Sequence, residues 1–120
     1  MERKLELYYA EIDPRSLALE FEKKVSQIGP TMEFVRNLIL DLRVILRILI
    51  DKDFDLSEDA RRDFISAVNY FIKTKDSIPD FIPIIGLLDD RKLVSYVKNK
   101  HRKEIERYFR QVKFFIANSL

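Results

Sequence analysis

The chain of 120 residues has no cysteine and no tryptophan, a single histidine, two glycines and four prolines. Without cysteine there is no disulfide framework, no thiolate zinc site and no cysteine nucleophile. The lone His101 excludes a multi-histidine metal centre. So few glycines and prolines exclude collagen-like and low-complexity sequence. Long apolar runs are also missing. The most apolar stretch, residues 38–50 (LILDLRVILRILI), contains Asp41, Arg43 and Arg47. A membrane span needs about 20 mostly apolar residues, and charges at its centre are costly. This stretch therefore reads as a buried core helix, and no transmembrane segment is expected. The first six residues are charged and lack the apolar core of a signal peptide. The expected location is cytoplasmic, with peripheral membrane contact left open.

What is present is apolar and charged residues together, at 47% and 35% of the chain. That apolar content is too high for a disordered chain, and the length is one domain's worth, residues 1–120. The formal net charge is +2, but it is unevenly placed. Residues 1–90 carry 13 basic and 18 acidic side chains, a net of −5. Residues 91–120 carry 9 basic and 2 acidic ones, a net of +7. A basic tail thus follows an acidic body.

Almost every segment carries helical signals. Asp13-Pro14 is a start: Asp accepts bonds from free N–H groups, and Pro suits the first helical position. Leu17, Phe21, Val25 and Ile28 then recur on one face, and Gly29-Pro30 ends the run. Residues 1–12 fit strand or helix, and helix is preferred because no other strand is evident. Thr31 can cap a second helix running to about Ile50, whose wide apolar arc suits the centre of a bundle. Arg36, Arg43 and Arg47 line its other side, either solvated or paired with acids from another segment. The acidic stretch 51–55 begins like a calcium loop, but Leu56 and Arg62 stand where that loop needs Gly and a bidentate Glu. It reads as a connector, after which Ser57 caps a helix over about 58–74. Phe64, Ala67, Val68, Phe71 and Ile72 form the core face of that helix. From Asp90 to Ala117 the spacing predicts a last, uninterrupted helix along Val94, Val97, His101, Ile105, Tyr108, Val112 and Phe115, with His101 packed on the bundle.

Residues 76–90 (DSIPDFIPIIGLLDD) are the distinctive segment, with acids and prolines at set places in an apolar loop. Together with the aromatic pair Tyr70-Phe71, the segment resembles the signature of the YkvA-like family, a small helical domain of unknown function. The pattern covers about 70–90, and the helices over 31–69 fit it more loosely. Arg91-Lys92 departs from the small residue usual after the acidic pair. The resemblance implies a helical core over about 31–97, found sometimes near membranes or fused to other modules, and no settled activity.

The residues of this segment admit two accounts. In the structural one, Asp76 forms an Asx-turn, Asp80 caps a short helix with Pro83 in its first turn, Gly86 ends it at positive φ, and Asp89 caps the last helix. In the chemical one, Asp76, Asp80, Asp89 and Asp90 converge on a hard cation such as Mg²⁺ or Ca²⁺, which prefers oxygen ligands. A second candidate surface is the basic helix over about 90–117, with Lys98, Lys100, Arg102, Lys103, Arg107, Arg110 and Lys113 interleaved with aromatics. It suits phosphates of nucleic acid or an anionic membrane, or a helix seam with another chain.

The expectation is an all-α, single-domain bundle of four or five helices, with the Pro-rich acidic loop between the third long helix and the C-terminal helix. The expected function is a non-catalytic interaction or scaffold module that self-associates or binds a protein partner, without a cofactor. Two alternatives stay open: a divalent-metal-binding domain or metal-dependent enzyme on the four aspartates, and a nucleic-acid- or anionic-lipid-binding module on the basic helix.

Overall fold

The computed structural model describes residues 1–28, 33–74 and 83–119, with side chains left out of account at 74, 83–88 and 114–119. Among the described residues there are six helices and no strand: α1 (Glu2–Tyr8), α2 (Pro14–Ser26), α3 (Glu33–Ile50), α4 (Glu58–Thr74), α5 (Pro83–Lys100) and α6 (Arg102–Ser119). The all-α single domain is as the sequence indicates. Residues 2–8 form the helix preferred for the first segment. The number of helices exceeds the expected four or five because the C-terminal helix is divided at His101.

Local signals explain most of the boundaries. The Asp13 side chain accepts a hydrogen bond from the Arg15 N–H (3.4 Å), and Pro14 is the first residue of α2. Ser57 Oγ accepts from the Ala60 N–H (3.2 Å) and caps α4. Pro83 opens α5, where its missing N–H costs nothing. One expectation fails here. Gly86 lies inside α5, and no glycine among the described residues has positive φ. Asp89 and Asp90 consequently sit in the second turn of a helix already under way, and Asp89 does not cap it.

The centre of the bundle is α4, not α3. Every residue from Asp63 to Ile72 is buried, and α4 packs against α1, α2, α3 and α5. Phe64, Val68 and Phe71 are fully enclosed (0% exposed each). Phe71 meets Phe21 of α2 at 5.3 Å between centroids, and Tyr70 takes Tyr8 of α1 edge-on at 4.8 Å. The enclosed stretch also carries polar side chains, which need partners, although Asn69 Oδ1 has none among the described residues. Ser66 Oγ donates to the Arg62 carbonyl (2.9 Å), and Asn69 Nδ2 donates to the Tyr8 carbonyl (2.8 Å), which ties down the end of α1. Because these polar residues interrupt the apolar pattern, α4 looks less central in sequence than it is. Helix α3 supplies the adjoining wall through eight buried residues, from Val35 to Leu49. Its Arg43 holds Glu22 of α2 through two bonds, 2.8 and 2.9 Å, so one arginine of the stripe does pair across helices.

Candidate functional site

Polar chemistry concentrates where α4, α5 and α6 meet. At the end of α5 the Lys100 ammonium lies 2.8 Å from Glu2 Oε1, 3.0 Å from Asp63 Oδ2 and 3.6 Å from Asp59 Oδ2. The Tyr96 hydroxyl donates to the same Glu2 oxygen. One residue on, His101 Nε2 stands 2.6 Å from Asp63 Oδ2. A carboxylate can only accept, so Nε2 carries the proton of this bond. The His101 side chain is 5% exposed and that of Asp63 is 9%. Phe64 closes the ring edge-on at 5.7 Å. Burial therefore leaves water no easy way to replace either partner.

These bonds locate the break between α5 and α6. The chain has neither Pro nor Gly there. The His101 N–H still reaches the Val97 carbonyl (3.0 Å), and the His101 carbonyl accepts from Glu104 and Ile105 (3.1 Å each). The helix thus turns through one residue whose side chain is anchored on α4. A second clamp follows at once. Glu104 accepts from the Ser57 N–H (2.9 Å) and from Ser57 Oγ (2.7 Å), joining the first turn of α6 to the cap of α4. Further along, Arg107 donates to the Asp55 carbonyl (2.6 Å) and covers the Phe54 ring at 4.4 Å. The buried Tyr108 donates to Asp51 Oδ2 (3.0 Å), and Gln111 Nε2 reaches the Asp53 carbonyl (3.4 Å). Helix α6 therefore runs back along the connector, from residue 57 at its start toward residues 51–53.

The electrostatics follow the same geometry. The Glu2 hydrogen bond, helped by Asp63, raises the Lys100 ammonium well above its ordinary 10.5. In return Lys100, then Tyr96, lower the Glu2 carboxyl from its ordinary 4.5. Burial is the first cause raising the Tyr108 hydroxyl. Oxygens of Asp59 and Asp63 and a ring nitrogen of His101 lie within 4.8 Å of one another, a spacing that invites a metal. The donor set does not fit one. The Lys100 ammonium already stands among these groups as their cation, and Asp63 Oδ2 is spent on both Lys100 and His101. The cluster is an ion lock joining α1, α4, α5 and α6.

The four aspartates singled out in the sequence are placed only in part. Asp76 and Asp80 lie outside the described residues. Asp89 is exposed and Asp90 is buried (1% exposed), so neighbours in sequence face different surroundings. The seven basic candidates are dispersed. Lys98 pairs with Asp41 of α3 (3.1 Å), Lys100 enters the lock, Arg107 is held at the connector, and Arg102 lies 3.9 Å from Glu106. Lys103, Arg110 and Lys113 are exposed. Sequence reasoning missed Asp59, Asp63, Glu2 and Glu104. Asp59 and Asp63 share a helix face at a spacing of four, but nothing local ties them to a histidine 38 residues away.

A family model described as a protein of unknown function (DUF1232) matches residues 64–95, from the middle of α4 into α5. No curated protein matches the chain. No solved structure matches it. Among the described residues, no helix is long and apolar enough to cross a membrane.

Proposed function

We propose that the chain is a non-catalytic interaction module of the YkvA-like kind, which self-associates through α6. The matched stretch lies within the helical core proposed over about 31–97, and α6 is the appendage to that core. One observation carries the reading. Helix α6 is amphipathic: it lays Ile105, Tyr108 and Val112 on the bundle, held there by Glu104, Arg107 and Gln111, and on its open side it carries Phe109, 48% exposed. A helix gains little from its own backbone, and covering the exposed Phe109 ring against a partner would stabilise it further. The ion lock sets the angle at which this arm leaves, so little entropy is lost when it engages a partner. Light scattering across a concentration series tests the proposal. The expected mass rises above the 14.4 kDa of one chain as concentration increases. A mass that stays at one chain up to about 1 mM sinks it.

A further inference from the structure

We propose that the arm of one copy docks, by its cationic outer face, in an acidic cleft of a second copy. This rests on the self-association reading above and names the two surfaces. The first surface is on α6. At 100° per residue, Lys103, Arg110 and Lys113 point roughly 140–160° away from the buried Tyr108. All three are exposed, and no ion pair or hydrogen bond of their side chains occurs among the described residues. Lys98, Lys100 and Arg107 of the same basic tail are already matched by Asp41, by Glu2 with Asp63, and by Glu104. On α6 the unmatched positive charge is thus gathered on one side of the arm, near the exposed ring of Phe109, while the exposed Arg91 and Lys92 of the same tail lie apart on α5.

The second surface is a cleft of about 410 Å³ between the α1–α2 connector and the first turn of α4. Glu11, Asp13 and Glu58 line it against a single lining cation, Arg61, and at its side the Tyr9 ring is covered by the Arg62 guanidinium at 3.8 Å. Glu11 and Glu58 have no ion pair among the described residues. Three carboxylates against one lining cation complement the unmatched cations of the arm.

The arm cannot fill the cleft of its own chain. Glu58 adjoins Ser57, which is bonded to the start of α6 at Glu104. From there α6 runs toward residues 51–53, away from the cleft. Arg110 and Lys113 lie roughly 9 and 14 Å further along a rigid helix. A second copy brings its arm to the cleft while offering its own, so the contact is open to both chains.

The test uses the full chain and light scattering in low and high salt, about 50 and 500 mM. The expected result is association in low salt that weakens in high salt. R110E/K113E should weaken it at least about tenfold in low salt, with an unchanged melting temperature, because both residues are exposed. E11K/E58K should do the same from the other surface. The decisive arm is a mixture of R110E/K113E with Glu11→Lys/Glu58→Lys, which should recover association that neither shows alone. Association that ignores salt and survives R110E/K113E overturns this interface but leaves self-association standing. A strict monomer in low salt overturns both. Binding to anionic phosphatidylglycerol vesicles or to duplex DNA, with no rise in mass in their absence, assigns the cationic face to a polyanion and overturns the proposal.

Discussion

Asp63 offers the sharpest test of the ion lock. Replacing it by alanine removes the acceptor 2.6 Å from His101 Nε2 and 3.0 Å from the Lys100 ammonium. The two losses are unequal. His101 is 5% exposed, so its N–H is left without water, which costs about 1–3 kcal/mol. The Lys100 side chain is 28% exposed and keeps Glu2, so losing Asp63 adds up to about 1 kcal/mol after solvent screening. Together these make about 3 kcal/mol for Asp63→Ala. For a domain of this size that lowers the melting temperature by about 12 °C. Asp63→Asn keeps a neutral acceptor for the imidazole N–H and loses only the charge, so it should cost about 1 kcal/mol. The assay is urea denaturation of the parent and both variants, with calorimetry as a check. An Asp63→Ala cost below about 1 kcal/mol would refute the buried lock. Equal costs for the two variants would refute the division between hydrogen bond and charge.

Two further outcomes follow from the same contacts. Ser57→Ala removes both the cap on Ala60 and the hydroxyl bond to Glu104, and should cost about 1–2 kcal/mol in urea denaturation; a value near zero would mean that α6 is not clamped there. Glu2 and Glu22 are held below their ordinary 4.5, first by their hydrogen bonds to Lys100 and Arg43 respectively. A depressed carboxyl stabilises the fold above the unfolded value, and that contribution is lost as pH falls through the folded one. Stability should therefore drop below about pH 4.5, by up to about 1 kcal/mol for each half-exposed pair, and Glu22→Gln should flatten part of that acid slope. An unchanged slope in Glu22→Gln would contradict the pairing.

The helices were largely legible because their signals are local. Asp13-Pro14, Ser57 and Pro83 each mark a start through a neighbour's N–H or its absence, within three residues. The apolar faces of α2, α3 and α4 repeat at the helical period, and most residues read from them are buried, with Val25 and Ile28 half-buried. The failures were equally physical. Gly86 suggested a stop, but a glycine inside a helix costs only about 1 kcal/mol, and α5 runs on through it. The long series from Val94 to Phe115 suggested one helix, because a turn through a single residue leaves the three-and-four spacing intact.

By itself the sequence determined an all-α domain, the faces that are buried, and the separation of a basic tail from an acidic body. The tertiary structure alone decided which charges meet. The Lys100–Glu2 and His101–Asp63 bonds join residues 98 and 38 apart in the chain. Such pairs depend on how helices are rotated and crossed, and helical periodicity carries no record of that. The same dependence sorts the basic tail into cations that close the fold, such as Lys98, Lys100 and Arg107, and others left exposed, Lys103, Arg110 and Lys113 of α6 among them, where a partner can be met.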